Sequence, residues 1–173
     1  MSSRSSPKDV AALPSGSRVF IDANIFIYHF THVPLTAACT KFLQRVEIGD
    51  IEGIASVITL AEVAHHLMIL EAIQIHGLFP HAAVRKLKEN PALVQQLSHD
   101  KVVTETVPAF NVVVETITST HLRTAQGLSG ACGLLTNDSL TAAVMQSLAL
   151  TDLASNDPDF SLVPALTGWQ PRP

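Results

Sequence analysis

Four carboxylates in this 173-residue chain stand where an apolar run gives way to a turn or a helix start: Asp22, Glu62, Asp138 and Asp157. Asp22 closes Arg18-Val19-Phe20-Ile21 and is followed by Ala23-Asn24, and Glu62 ends Ser56-Val-Ile-Thr59-Leu-Ala-Glu62. Asp138 lies in Leu134-Leu135-Thr136-Asn137-Asp138-Ser139, and Asp157 in Leu153-Ala-Ser155-Asn156-Asp157-Pro158-Asp159-Phe160. Acids gathered in one crevice repel each other and hold protons more tightly unless a cation neutralises them. Mg²⁺ suits such a set because it takes oxygen ligands and keeps several waters, and Mn²⁺ accepts the same ligands. The chemistry available to such a site is metal-assisted displacement at a phosphodiester, with water as the nucleophile. Zinc fits less well, since Cys39, Cys132 and the histidines show no ligand spacing.

Each acid also has a local explanation. Asp22 and Asn24 can hydrogen-bond their own backbone in a turn, and Asn156-Asp157-Pro158 is an ordinary turn signal. Thr59-x-x-Glu62 matches a capping box, which predicts Glu62 in the first turn of a helix. Thr136, Asn137 and Asp138 are all suited to a helix start. The two roles are compatible, because a first-turn acid beside a strand end faces the same crevice as Asp22. Glu62-x-x-His65 is half of a di-iron motif with no second half in the chain, so His65 and His66 read as ordinary helix residues. Phosphoaspartyl chemistry of the haloacid-dehalogenase kind needs D-x-D, and Asn24 occupies the second position.

The elements that must position these acids alternate. Val19 to Ile21 has no polar alternation, as expected of a strand buried on both faces. A helix is predicted over Thr36 to about Glu47, with Ala37, Phe42, Leu43 and Val46 inward and Gly49 ending it. Ile54–Val57 reads as a second strand. From Thr59 the spacing of Leu60, Val63, Ala64, Leu67 and Leu70 or Glu71 predicts a helix that stops at Gly77. Pro80 and Pro91 punctuate a helical insertion around 76–107, and Asn111–Thr116 reads as a third strand. A helix through His121, Leu122 and Ala125 then meets a glycine-rich joint, Gly127 to Gly133, before another from about Ser139 to Leu148. Leu153–Ser155 reads as a fourth strand, and Trp169–Pro173 as a tail or edge strand. Strands alternating with helices predict a three-layer α/β/α sandwich around a mainly parallel sheet, with ligands beyond the carboxyl ends of the strands.

Composition narrows the partners. One domain is expected over 18–173, behind a flexible Ser/Pro-rich tail at 1–17 that lacks the apolar core of a signal peptide. Hydrophobic residues make up 47% and charged residues 15%, which leaves apolar surface for another chain to cover. No run approaches the roughly 18 consecutive apolar residues of a membrane helix, so a cytoplasmic protein with no membrane contact is expected. A net charge of −4 lacks the basic footprint of a protein that binds nucleic acid by charge alone, but it does not oppose a nuclease whose centre is acidic. The one basic cluster, Arg85, Lys86 and Lys88, reads as a solvated helix face. Cys39 and Cys132 read as free buried thiols.

In their order, the four acidic segments resemble PIN-domain nucleases, particularly the VapC-like toxins of toxin–antitoxin pairs. Val19-Phe-Ile-Asp22-Ala-Asn24 is similar to the family's opening D-x-N, and the segment through Glu62 to its strand-to-helix second acid. Leu135-Thr-Asn-Asp138-Ser-Leu is similar to its third-acid helix start. Ser155-Asn-Asp157-Pro-Asp159-Phe160 resembles its closing T-x-D-x-D-F, with Ser155 in place of the commoner Thr. The resemblance spans Val19 to Phe160 and implies Asp22, Glu62, Asp138 and Asp157 as the metal-holding catalytic acids. Asp159 would be an extra ligand, with Asn24 and Ser155 as supporting polar residues. It further implies Mg²⁺- or Mn²⁺-dependent cleavage of RNA, restraint by a cognate antitoxin, and a homodimer. A catalytically inactive module with the same fold is the alternative. The 76–107 insertion departs from a minimal toxin of this type.

Overall fold

The computed structural model describes residues 7–173, so the part of the expected tail before Pro7 lies outside them. The strands are β1 (Lys8–Asp9), β2 (Arg18–Ile21), β3 (Glu52–Ser56), β4 (Val113–Glu115), β5 (Asp152–Ala154) and β6 (Thr167–Gln170). They form one sheet in the order β1-β6-β5-β2-β3-β4, with every pairing parallel. The helices are α1 (Ala23–Phe30), α2 (Thr36–Glu47), α3 (Val57–His76), α4 (Ala83–Glu89), α5 (Pro91–Val94), α6 (Val102–Glu105), α7 (Ser119–Cys132) and α8 (Thr136–Ser147).

Successive residues of the central strands feed opposite layers. Val19 and Ile21 of β2, with Ala55 and Ala154, pack against Ile25, Phe26, Leu43, Val46, Val63 and Leu67 of α1, α2 and α3. Phe20, Ile54 and Leu153 point the other way, onto Val144 and Met145 of α8 and onto Phe160. α7 completes that layer by setting Ala125 against Leu140 and Ala143. The absence of polar alternation in β2 thus has a cause: both faces of the strand are covered, which is the three-layer sandwich the alternating pattern implies. Gly53 marks the closest approach in this packing. A Cβ there would lie 2.6 Å from Val46 Cγ1 and 2.8 Å from Ile21 Cδ1, so any larger residue would force these side chains to shift.

Several local expectations shift. The chain joins the fold at Lys8, well before residue 18: Lys8 and Asp9 pair with Trp169 and Gln170, and Val10 and Leu13 are buried. Consequently β6 is not an edge strand, because β1 covers it. The expected joint at Gly127–Gly133 is helix, since α7 runs through Gly127 and Gly130 and stops only at Gly133, whose φ of 77° suits a residue without Cβ. Of the residues set inward on α2, Ala37 is exposed and Cys39 takes its place. Cys39 and Cys132 are free, and only Cys39 is fully buried, which pushes its thiol up to about 12.

The insertion predicted around 76–107 is α4, α5 and α6 with short connecting turns, and it closes onto α3 through Glu71. That carboxylate is 2% exposed, and it accepts the N–H groups of Ser98 and His99 at 2.8 Å each and the Ser98 hydroxyl at 3.2 Å. Burial alone would raise its pKa, but these donors, with His99 nearby, outweigh burial and hold the carboxyl below its ordinary range. Arg85, Lys86 and Lys88 are exposed, as a solvated face requires, and Arg85 and Lys86 flank Glu89. α3 is long and apolar enough to cross a membrane by length and composition alone. In this fold it carries Glu62, buried Glu71 and the Val63–Leu67 face that packs on the sheet.

Candidate active site

The parallel sheet brings the carboxyl ends of β2 and β5 side by side, through Ile21 against Ala154, and the Asp22 N–H continues the ladder by donating to the Ala154 carbonyl at 3.0 Å. The two acidic segments, more than 130 residues apart in sequence, therefore leave the sheet at one point. Asp22 caps α1 with extended backbone, and its Oδ1 accepts the Ala23 N–H at 2.8 Å. Its Oδ2 accepts the Ser155 hydroxyl at 2.6 Å and an Asn24 amide N–H at 2.5 Å. Ser155 Oγ in turn accepts the Asp157 N–H at 3.0 Å, while Asn24 Oδ1 accepts the Asn156 N–H at 3.1 Å. Asn24 and Ser155 thus tie the ends of β2 and β5 together and fix the direction of the Asp22 carboxylate.

Glu62 arrives from β3 by way of α3, though not by the capping box its spacing suggests. The N-cap is Ser56, whose hydroxyl accepts the Thr59 N–H at 3.2 Å, and Glu62 therefore sits in the second turn. The Ser-x-x-Thr pair captures the helix start because β3 ends at Ser56, one strand residue before the expected boundary at Val57. Asp138 occupies the first turn of α8, which begins three residues before the predicted Ser139. Asp157 caps the short 3₁₀ turn Pro158–Leu162 by accepting the Asp159 N–H at 2.8 Å, so its turn role and its place in the cleft coexist.

Asp22, Glu62, Asp138 and Asp157 all line one cleft of about 430 Å³, with Asn24, Tyr28 and Asn156 between them. Carboxylate oxygens of Asp138, Asp157 and Asp159 lie within 4.8 Å of one another, a spacing that one cation could bridge. Asp22 and Glu62 flank that trio without joining it, and the Asp22 oxygens are already engaged by three donors. Burial, then Glu62 and Asp157, push Asp22 up to about 6 against the pull of the Ser155 and Ala23 hydrogen bonds. Burial and the charges of Asp157, Asp159 and Glu62 raise Asp138 to about 6 as well. Such a cluster favours either a proton or a cation near neutral pH. A larger open depression of about 870 Å³ between α2 and residues 109–111 has no such cluster, and its Arg45 is already bound to Asp50 and the Leu13 carbonyl.

Two further lining residues are Tyr28, which the sequence did not single out, and His66, which it suggested was an ordinary helix residue. Tyr28 accepts an Asn156 amide N–H at 3.3 Å, and helical spacing from Asn24 would have placed it on the same face of α1. His66 stands four residues after Glu62, which is likewise the spacing of one face. Asn137, the neighbour of Asp138, reaches Glu62 at 3.5 Å, while Asn156 binds Asn24 and Tyr28.

The fold and the acid cleft define an α/β protein with an acidic site at the carboxyl ends of a parallel sheet, and the PIN domain pattern matches residues 19–166. The chain belongs to the PIN domain family. Among solved structures it is similar to FitAcB from Neisseria gonorrhoeae, with a TM-score of 0.56 at 16% identity over 88% of this chain and 97% of that one. It is also similar to VapC20 from Mycobacterium tuberculosis, described as a sarcin-ricin loop cleaving toxin, with a TM-score of 0.53 at 19% identity over 83% and 92%. A toxin–antitoxin complex from Klebsiella pneumoniae aligns with a TM-score of 0.53 at 16% identity over 86% and 94%. No match among curated proteins accompanies these structural likenesses.

Proposed function

We propose that this chain is a divalent-metal-dependent endoribonuclease, the toxin of a type II toxin–antitoxin pair, acting through Asp22, Glu62, Asp138 and Asp157 with Asp159 as an additional ligand. The observation that carries the reading is the convergence of acids from four separate segments in one cleft, two of them raised to about 6, with no lysine or arginine among the described residues that line it. The donor set is all oxygen, which suits Mg²⁺ or Mn²⁺. A divalent ion bound there would supply the positive charge and the activation of water that phosphodiester hydrolysis needs. The chain's own groups do the positioning: Ser155 and Asn24 hold Asp22 in one orientation, and the Asp157 cap holds the 158–162 turn that carries Asp159.

RNA as substrate and an antitoxin as partner belong to the same proposal, supported by the family and by what the structural neighbours are described as. A cytoplasmic homodimer also belongs to it, and exposed Ile48, Phe79 and Leu135, between 72% and 78% accessible, offer apolar surface for protein contacts. The test is cleavage of a mixed RNA panel by the purified protein in Mn²⁺, with and without chelator, beside Asp22→Ala. Cleavage abolished by either change is the expected result. Cleavage indifferent to both removes the proposal, and RNA or partner binding with no cleavage and no Mn²⁺ uptake by calorimetry points to the inactive module.

A further inference from the structure

We infer that His66 is a substrate-contacting residue, whose ring N–H donates to a phosphate oxygen of the RNA strand beside the acid cleft. The inference rests on the nuclease reading above and adds a residue to it. Four carboxylates line the cleft, the other polar lining side chains are neutral, and among the described residues His66 is the one lining side chain able to carry positive charge. The divalent ion of that reading would offset the acids at the reacting phosphate, but the neighbouring phosphates of the strand still need donors, and the chain's net charge of −4 provides no general attraction.

His66 is placed for that contact. It follows Glu62 by one turn of α3, a rise of about 6 Å, which sets it beside the acids and outside the trio of Asp138, Asp157 and Asp159. Its side chain is exposed, and its ring has no hydrogen-bond partner among the described residues. Other histidines are engaged within the fold: His29 pairs with Thr40 at 2.9 Å, and His121 with Thr118 and Ser147. His65, its neighbour on α3, is exposed and does not line the cleft. Among the described residues, only His66 combines an uncommitted ring with a place in the cleft lining.

The experiment measures cleavage of a fluorescently labelled single-stranded RNA in Mn²⁺ by the wild type, His66→Ala, His66→Gln, His66→Lys and His65→Ala. Loss of one hydrogen bond to a charged group should raise KM for His66→Ala about tenfold, with kcat within about threefold. His66→Lys should recover most of the loss, His65→Ala should match the wild type, and Mn²⁺ affinity by calorimetry should be unchanged in all of them. An unchanged KM in His66→Ala overturns the inference. So does a kcat loss at constant KM, which would place His66 in the chemical step, or weakened Mn²⁺ binding, which would make it a ligand. If the wild type does not cleave at all, the nuclease reading falls by itself. Direct binding of the same RNA in Ca²⁺ then decides: weaker binding by His66→Ala upholds the contact, whereas equal binding, or none by the wild type, ends it.

Discussion

Glu71 on α3 collects two backbone N–H groups and a hydroxyl from residues 98 and 99, whereas Asp22 at the end of β2 collects three donors as well but also faces Glu62 and Asp157. Their pKa values move in opposite directions, Glu71 below its ordinary range and Asp22 up to about 6. Burial works against the charge in both, but it is the largest cause of the rise at Asp22, while at Glu71 the donors outweigh it. The company each keeps adds to the difference: His99 beside Glu71 favours the charged form, while Glu62 and Asp157 beside Asp22 push it further up. A carboxylate satisfied by donors alone fastens two parts of a fold together. A carboxylate held in a fixed direction among other carboxylates conserves an unmet demand for positive charge, which is what a metal site requires.

The largest effect that tests this contrast is on cleavage. Asp138→Asn and Asp22→Ala should each reduce RNA cleavage in Mn²⁺ at least a hundredfold in single-turnover assays, while Glu71→Gln should leave the rate of the folded protein within about threefold. Second comes stability. Glu71→Ala strips the acceptor from two part-buried N–H groups and a hydroxyl and should cost about 2–4 kcal/mol in urea unfolding, with hydrogen exchange at Ser98 and His99 accelerating first. Equal destabilisation by Asp138→Asn would erase the distinction between the two carboxylates.

A smaller effect concerns pH. In the folded protein Asp138 keeps its proton up to about 6, against about 3.9 for an unfolded chain, so the folded state binds the extra proton between those values. Lowering the pH from 7 towards 4 therefore stabilises the protein through this group, and its ionised form above 6 is a burden on the fold. In chelator, Asp138→Asn should raise Tm at pH 7 by about 2–4 °C, and the gain should shrink below pH 5. Mn²⁺ should remove the gain by stabilising the wild type. Glu71 has the opposite sign, since its depressed pKa gives stability above the ordinary carboxylate range that is lost as the pH falls through its folded value. Smallest of all, Glu89→Ala, which removes the exposed partner of Arg85 and Lys86, should change stability by less than about 0.5 kcal/mol.

The strand–helix alternation was legible because it is written locally. Val19–Ile21 shows its two-sided burial as an unbroken apolar run, and α2 and α3 show their inward faces as helical spacing. The acids were legible as element-edge residues for the same reason. The start of α3 was misread because two hydroxyl residues three apart, Ser56 and Thr59, can each cap a helix, and only the end of β3 decides between them. Gly127 and Gly130 suggested a joint because glycine weakens a helix, but packing of α7 against α8 offsets that cost. Lys8–Asp9 carries no strand signal of its own, being two residues completed by β6 from the far end of the chain. His66 reads as an ordinary helix residue in the sequence because a histidine on a helix says nothing until it is known what the helix faces.

The sequence by itself determined the class of fold, the alternation of its central elements and which acids stand at element edges, since each follows from short-range periodicity and turn chemistry. Tertiary structure alone decided that Asp22 and Asp157 share one serine, that Asp138, Asp157 and Asp159 come within reach of a single cation, and that Glu71 belongs to the insertion. The physical reason is distance along the chain. Parallel pairing of β2 with β5 brings together segments more than 130 residues apart, and no local preference of either segment records where the other will be.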